Sequence, residues 1–110
     1  MGLVSEPRRF DVFLVNLDPT LGSEIRKTRP AAVVSPDDMN RHLRTVVVAP
    51  MMTARRPWPT RVAVDFAGKQ GDVALDQIRT IDKVRLGRCL GRLADAEAGQ
   101  ILDVLRRMFA

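Results

Sequence analysis

The chain has 110 residues, 45% of them hydrophobic, and a single cysteine, Cys89. This length suits one domain with its own core and no disulfide, so we expect residues 1–110 to form a single domain in the reducing cytoplasm. The apolar runs are too short to cross a membrane, and residues 1–9 lack the apolar segment of a signal peptide. The net charge of +5 favours a polyanionic partner.

The first half of the chain predicts three short strands rich in β-branched and aromatic residues, at residues 10–17, 31–34 and 45–49. Pro50 is expected to end the third strand. Before that strand, Ser35 and Pro36 precede two aspartates, a pattern that predicts a short helix with Ser35 as its N-cap. His42, the only histidine, falls on this helix and is expected at the surface.

The second half predicts three further strands, at residues 61–66, 73–81 and 88–93, with Gly68 and Gly71 on either side of a turn and one helical turn at residues 82–86. A C-terminal helix is predicted with Asp95 as its N-cap, because apolar residues then recur at three- and four-residue spacing. These residues are Ala98, Ile101, Leu102, Leu105, Met108 and Phe109. The pattern predicts a mainly β protein, a small antiparallel barrel with the helix packed against it.

A long polar loop is predicted between the first two strands, from Asp18 to Pro30. An Asp-Pro pair and Gly22 give it the chemistry of a turn, and it has almost nothing to bury. Glu24 in this loop can accept a proton at neutral pH, and Arg29 can neutralise a phosphate.

The basic residues are concentrated in one third of the chain. Between Ser23 and Arg61 there are eight Lys or Arg residues against three Asp or Glu, so this segment carries the whole net charge. Seven of the eight are Arg, which is suited to bidentate phosphate contacts. The placement favours nucleic acid or an acidic protein segment as partner over a basic surface that is merely solvated.

Several familiar kinds of site are excluded by the sequence. One Cys and one His cannot form a zinc site, no phosphate-binding glycine motif is present, and no carboxylate cluster suggests bound magnesium. We therefore expect no metal and no cofactor. One reaction that needs neither is attack by an RNA 2′-hydroxyl on its own phosphodiester, since the nucleophile is tethered to its target and a carboxylate with arginine and hydroxyl donors can do the rest.

Two ordered blocks of sequence carry a family resemblance. The first contains Phe10-Asp11-Val12, Leu17-Asp18-Pro19-Thr20, Gly22-Ser23-Glu24, Arg29-Pro30-Ala31 and Val33-Val34-Ser35-Pro36. The second is Asp76-Gln77-Ile78-Arg79-Thr80-Ile81-Asp82-Lys83, followed by Arg85 and Leu86. Together they resemble the MazF/PemK/Kid toxins of bacterial toxin–antitoxin pairs. The resemblance implies an SH3-like barrel, a homodimer, metal-independent and sequence-selective cleavage of single-stranded RNA, and an antitoxin whose acidic, flexible tail covers the RNA groove.

The resemblance also implies the catalytic residues. The family's loop acid corresponds to Glu24, its loop arginine to Arg29, and its hydroxyl after the third strand to Thr53, which comes one place later than the family's usual spacing. Some members pair an arginine with the aspartate of the second block. This chain has Ala74 at the arginine's position, so we expect that pair to be lost and Asp76 to have a binding or structural role.

Seven residues are predicted to contact RNA: Ser23, Lys27, Arg55, Arg56, Trp58, Asp76 and Gln77. Trp58 stands between two prolines in an exposed cationic loop, where its ring can stack on a base or pack against the dimer mate or the antitoxin. Gln77 can bond a base edge or a neighbouring strand, and Met51 and Met52 are expected in the core or the dimer interface.

Two rival functions use the same kind of barrel. A toxin resembling CcdB would trap a protein partner such as DNA gyrase without chemistry. A non-cleaving RNA-binding barrel would show salt-sensitive RNA affinity and leave the RNA intact. The acid–arginine pair of the loop favours the endoribonuclease.

Overall fold

The computed structural model describes residues 6–17 and 28–110, and these form a mainly β fold that ends in an α-helix. The strands are β1 (Asp11–Asn16), β2 (Thr28–Val33), β3 (Thr45–Met52), β4 (Arg61–Phe66), β5 (Lys69–Ala74), β6 (Arg79–Asp82) and β7 (Leu86–Arg92). The α-helices are α1 (Asp37–His42) and α2 (Asp95–Phe109), and two short 3-10 helices span Leu75–Gln77 and Lys83–Arg85. No helix within these residues is long and apolar enough to cross a membrane.

The strands form one antiparallel sheet in the order β4-β5-β3-β2-β1-β7, with β6 paired to β3 beside this path. Strand β3 is central because different parts of it pair with different neighbours. Its first half pairs with β6, its middle with β2, and its last two residues, Met51 and Met52, with β5. The end of β3 is therefore fixed from more than one side, directly before Thr53.

Two hydrophobic clusters lie on opposite faces of β2. Ala31 and Val33 belong to one cluster, whereas Ala32 and Val34 belong to the other, which also receives Ile101 of α2. A strand covered on both faces has no need of polar alternation, which explains the fully apolar run seen in the sequence.

Several strand boundaries differ from the sequence prediction. Strand β2 begins at Thr28, inside the loop predicted to run to Pro30, and the two largest differences are at Pro50 and at residues 73–81. Pro50 does not end β3, because it lies between Val48, the last residue paired with β6, and Met51, the first paired with β5, where the ladder on that edge is interrupted. Residues 73–81 are not one strand, since the chain leaves β5 after Ala74, turns through the 3-10 helix and returns as β6 against another part of the sheet.

The helix caps also differ from the prediction. Pro36 is the N-cap of α1, and the buried Ser35 hydroxyl instead bonds Asn40 at 2.5 Å and accepts the Val47 N–H at 3.0 Å. Ala94 is the N-cap of α2, and Glu97, not Asp95, accepts its backbone N–H.

Most of the apolar stripe predicted for α2 packs on the core, with Ala98 and Ile101 buried and Leu102, Leu105 and Met108 partly buried against it. The differences are Val104, which is buried but was not predicted, and Phe109, which is 71% exposed. His42 is exposed, as predicted.

The β4–β5 hairpin has a tight turn at Ala67 and Gly68. Both residues have positive φ angles, 52° and 78°, as the preferred two-residue hairpin turns require. Gly71 lies in β5 rather than in the turn, and a Cβ there would stand 2.3 Å from the Met52 carbonyl oxygen. This glycine therefore permits the close approach of β5 to the end of β3.

Candidate functional site

An open cleft of about 670 Å³ lies between the start of β2, the end of β3 and the loop at residues 53–60. Four residues predicted as site residues line it together, namely Arg29, Thr53, Arg56 and Trp58. These four residues come from three separate stretches of the sequence, so the fold brings them to one place. Arg61, which was not predicted as a site residue, lines the same cleft.

Arg29 is the second residue of β2, opposite Val15 of β1. Its Nη1 lies 3.1 Å from the sulfur of Met52, at the end of the neighbouring strand β3. A thioether is a weak acceptor, so this contact orients the guanidinium without neutralising its charge. The half-buried Arg29 thus presents a cation to the cleft.

Thr53 follows β3 directly and is exposed at the cleft. Its position depends on Met52, which pairs with Asp72 of β5, and on Gly71, which lets the two strands approach. Met51 and Met52 are half-buried and line the cleft as well. The hydroxyl therefore extends from a strand end that the sheet holds in place.

The loop at residues 53–60 is anchored to the β4–β5 hairpin. Arg55 donates to the carbonyl oxygens of Gly71 and Val64, both at 2.9 Å, and the backbone N–H of Arg56 donates to Asp72 at 2.9 Å. Arg55 is not among the described residues that line the cleft, so its RNA contact stays a prediction while its structural role is clear. Arg56 does face the cleft.

A buried acid, Asp72, is the centre of a network that the sequence did not reveal. Its side chain is 1% exposed, and the Arg61 side chain beside it is 5% exposed, with Nη1 at 3.3 Å from the Asp72 Oδ1. The Arg61 Nε also donates to Asp76 at 2.8 Å, and the Thr60 hydroxyl donates to the same carboxylate at 3.0 Å. The sequence shows Asp72 as a single acid directly before an apolar run. It does not show that Arg61 is the partner of Asp72.

The pair with an arginine at position 74 is lost, as expected, but Asp76 has another arginine partner, Arg61. Arg61 lies directly opposite Ala74 in the β4–β5 ladder, so the facing strand supplies the guanidinium that position 74 lacks. The hydrogen bond from Arg61 lowers the pKa of the Asp76 carboxyl, and the same bond raises the pKa of Arg61. Asp76 and Gln77 are exposed on the 3-10 helix and are not among the described cleft residues, so their RNA contacts stay predictions.

Trp58 is 48% exposed and stands next to two arginines. The Arg61 Cζ lies 4.5 Å from the centroid of the ring and the Arg56 Cζ lies 5.8 Å from it. The Trp58 carbonyl also accepts the Arg61 N–H at 3.1 Å, which closes the turn before β4.

Within residues 6–17 and 28–110, no group of three or more His, Cys, Asp or Glu side chains is placed to hold a metal ion.

Comparison with known proteins shows the family of the chain. Residues 8–109 match the model of the PemK-like, MazF-like toxins of type II toxin–antitoxin systems. The chain belongs to this toxin family. The toxin is 38% identical over 107 residues to the endoribonuclease PemK of Escherichia coli, covering 92% of this chain and 80% of that protein.

Two further relatives support the assignment. The endoribonuclease MazF of Staphylococcus saprophyticus is 34% identical over 105 residues, which cover 89% of the toxin and 87% of MazF. A solved endoribonuclease in complex with its cognate antitoxin, from a mycobacterial species, matches with a TM-score of 0.81 at 31% identity and covers 94% of each chain. The predicted family and its small β-barrel fold with a C-terminal helix are confirmed.

Three predicted site residues of the toxin, Ser23, Glu24 and Lys27, lie outside the described residues. The two ends of their segment are nevertheless defined. Arg79 donates to the Leu17 carbonyl oxygen at 2.9 Å, and Thr28 is paired with Asn16 across β1 and β2. Because Thr28 also lines the cleft, the segment that carries Glu24 rejoins the sheet at the cleft, one residue before Arg29.

Proposed function

We propose that this toxin is an endoribonuclease that cuts single-stranded RNA at selected sequences without a metal ion. Its relatives are named endoribonucleases PemK and MazF. The observation that carries the proposal is the cleft in which Arg29, Thr53 and Arg56 meet, since it combines cations and a hydroxyl donor around a space for a phosphodiester.

In the proposed reaction, Glu24 removes the proton of the ribose 2′-hydroxyl, which attacks the adjacent phosphorus. Arg29 stabilises the charge on the phosphorane oxygens, and Thr53 donates to one of them. Expulsion of the 5′-oxygen, which takes up a proton, leaves a 2′,3′-cyclic phosphate and a free 5′-hydroxyl. The tethered nucleophile lowers the entropic barrier, and one donor aimed at the developing charge contributes about 3–4 kcal/mol.

The donor chemistry supports metal independence. The sequence has one His and one Cys, and a carboxylate with arginine and hydroxyl groups suffices for proton removal and charge stabilisation. RNA contacts by Ser23, Lys27, Arg55, Arg56, Trp58, Asp76 and Gln77 belong to the same proposal, with Arg56 and Trp58 supported by their place in the cleft.

We further infer that residues 1–110 act as one toxin domain, in the cytoplasm, as a homodimer. An antitoxin with an acidic, flexible tail is the inferred protein partner, since a chain of net charge +5 with arginines in its cleft suits an acidic segment. The solved relative that is bound to its cognate antitoxin supports this inference.

The test is cleavage of a defined single-stranded RNA by the purified toxin in excess EDTA, with the chemistry of both new ends determined. We expect cyclic phosphate and 5′-hydroxyl ends. Glu24→Gln should lower kcat by about 10²–10⁴-fold, because the amide cannot take the proton. Arg29→Ala should lower it by about 10²–10³-fold. Arg41→Gln, which removes a charge from α1 away from the described cleft residues, is the matched control.

Other outcomes would assign a different function. Cleavage that stops in EDTA and returns with magnesium would contradict the mechanism. Folded Glu24→Gln and Arg29→Ala variants that still arrest growth would indicate a toxin that traps a protein partner. RNA that is bound but recovered intact after long incubation would indicate a non-cleaving barrel.

A further inference from the structure

Arg61 is unusual among the arginines of the cleft because its charge is already neutralised. It lines the cleft, yet its side chain is 5% exposed and bonds two carboxylates, Asp72 and Asp76. One guanidinium between two carboxylates gives the group a net charge of −1, which repels a phosphate. Arg61 is therefore not a phosphate ligand, whereas Arg29 in the same cleft has that proposed role.

What Arg61 does contact is the ring of Trp58, at 4.5 Å from the centroid. A guanidinium at this distance attracts the aromatic ring, and the attraction is stronger where the cation is shielded from water. The two carboxylates hold the guanidinium in place, and Asp72 also accepts the N–H of Arg56 in the loop that carries the ring. The loop that carries the Trp58 ring and the Arg61 guanidinium that contacts the ring are thus both hydrogen-bonded to Asp72.

The backbone around Trp58 is constrained as well. Pro57 and Pro59 fix their φ angles on either side of it, and the Trp58 carbonyl accepts the Arg61 N–H. A large aromatic ring that is fixed in advance loses little entropy when it binds a ligand. Trp58 is 48% exposed, and it lines the cleft.

We propose that Arg61 is a positioning residue that holds the Trp58 ring as a stacking surface for one unpaired base of the RNA. This inference rests on the proposed function and adds to it a base-binding subsite beside the phosphate-binding cations. A nucleobase is favoured over a protein side chain because Trp58 lines the same cleft as Arg29 and Arg56, which suit the phosphates on either side of a stacked base.

The test uses Trp58 as its own reporter, since it is the only tryptophan of the chain. A 2′-O-methyl RNA oligonucleotide, which cannot be cleaved by its own 2′-hydroxyl, is titrated into the toxin while the emission and anisotropy of Trp58 are recorded. We expect saturable quenching of the emission. Trp58→Leu should weaken binding of the oligonucleotide by about 5- to 150-fold, and Trp58→Phe should restore part of the loss.

The role of Arg61 is tested by Arg61→Lys, which keeps the charge but loses the planar guanidinium. We expect lower anisotropy of Trp58 in the free protein, a KM for RNA cleavage raised about 3- to 10-fold, and an unchanged kcat. Asp76→Asn, which weakens one anchor of Arg61, serves as a second variant if Arg61→Lys does not fold. It is judged by the Trp58 anisotropy of the free protein, because Asp76 is itself a proposed RNA contact. Arg41→Lys, outside the described cleft residues, is the control and should change none of these quantities.

Three results would overturn the inference. The first is oligonucleotide binding without any change in Trp58 emission, and the second is undiminished binding by Trp58→Leu. The third is an emission maximum that shifts with protein concentration and not with oligonucleotide, which would assign the ring to a subunit contact. Quenching by the oligonucleotide in a protein that cleaves no RNA would leave the stacking subsite standing and contradict the proposed enzyme. RNA cleavage by a protein whose Trp58 emission does not change on oligonucleotide binding would contradict the stacking subsite and leave the proposed enzyme standing.

Discussion

At the scale of single residues, the acid groups of this toxin have different environments. Asp72 is buried and bonds both Arg61 and the backbone of the 53–60 loop, whereas Asp76 is exposed and shares Arg61 with it. Removing one partner from a buried ion pair is far more costly than removing one from a surface pair. The loop beside the cleft therefore depends more on Asp72 than on Asp76.

The lowered pKa of Asp76 predicts how stability varies with pH. Its ordinary value is about 3.8, and the hydrogen bond from Arg61 brings it lower in the folded protein. The unfolded state then binds a proton first as the pH falls, so the stabilisation is complete above the ordinary value and is lost as the pH falls through the folded pKa. Urea unfolding from about pH 6 to pH 2.5 should show this loss.

Asp76→Asn supplies the comparison. The variant should be less stable than the parent at neutral pH, and the difference should shrink as the pH falls below the ordinary pKa of the carboxyl. Asp103→Asn removes one charge from the exposed surface of α2 and controls for the change in net charge. A difference between parent and Asp76→Asn that is the same at all pH values would contradict the assigned ion pair.

At the scale of secondary-structure elements, the contact between β5 and the end of β3 positions the site. Gly71 permits it, since its Cβ would lie 2.3 Å from the Met52 carbonyl oxygen, and Thr53 follows directly. By contrast, Gly99 in α2 has no atom within 4 Å of the position its Cβ would take. The two glycines offer the same substitution in opposite environments.

Gly71→Ala and Gly99→Ala should therefore have effects of opposite sign. Gly71→Ala forces β5 away from β3 and should destabilise the protein by roughly 1–3 kcal/mol or more, with loss of RNA cleavage. Gly99→Ala should stabilise it by about 0.5–1 kcal/mol, because alanine is the better helix former. Urea unfolding and cleavage assays on both variants give the answer. A neutral Gly71→Ala would show that the strands are not so closely packed.

How far the sequence predicted the site follows from the range of the interactions involved. Arg29 and Trp58 were predicted because each stands in a local motif, a polar loop between strands or a proline-bounded loop, and Thr53 was implied by the family resemblance. The pairing of Arg61 with Asp76 was not, since it depends on the register that sets Arg61 opposite Ala74. The path of β3 through Pro50 was missed for a similar reason, because it depends on which neighbour each part of the strand pairs with. Local chemistry was predictable, and cross-strand partnership was not.

At the scale of the whole molecule, the net charge of +5 is distributed unevenly with respect to the cleft. Arg29 and Arg56 line it without a described carboxylate partner, whereas Arg61 is neutralised by two. RNA binding should thus involve counterion release at a few defined arginines rather than a diffuse attraction of the whole surface.

Salt dependence distinguishes these two kinds of binding. For an oligonucleotide that resists cleavage, log K should fall linearly with log salt, and Arg56→Gln should reduce the slope by about 0.7, the contribution of one phosphate contact on a single strand. Arg41→Gln changes the net charge equally but lies on α1, outside the described cleft residues, and should leave the slope nearly unchanged. Equal effects of the two variants would indicate diffuse attraction. The binding constant K is measured from the anisotropy of a labelled oligonucleotide at several salt concentrations.

The way the 53–60 loop is fastened has an evolutionary consequence. Arg55 and Asp72 hold its course through strand carbonyls and a backbone N–H, so the path of the loop does not depend on which side chains stand at positions 56 and 58. If the side chains at these two positions contact RNA as proposed, point substitutions there would alter which nucleotides are preferred and leave the anchored backbone unchanged. Related toxins could then differ in their target RNA through a few codons of one loop.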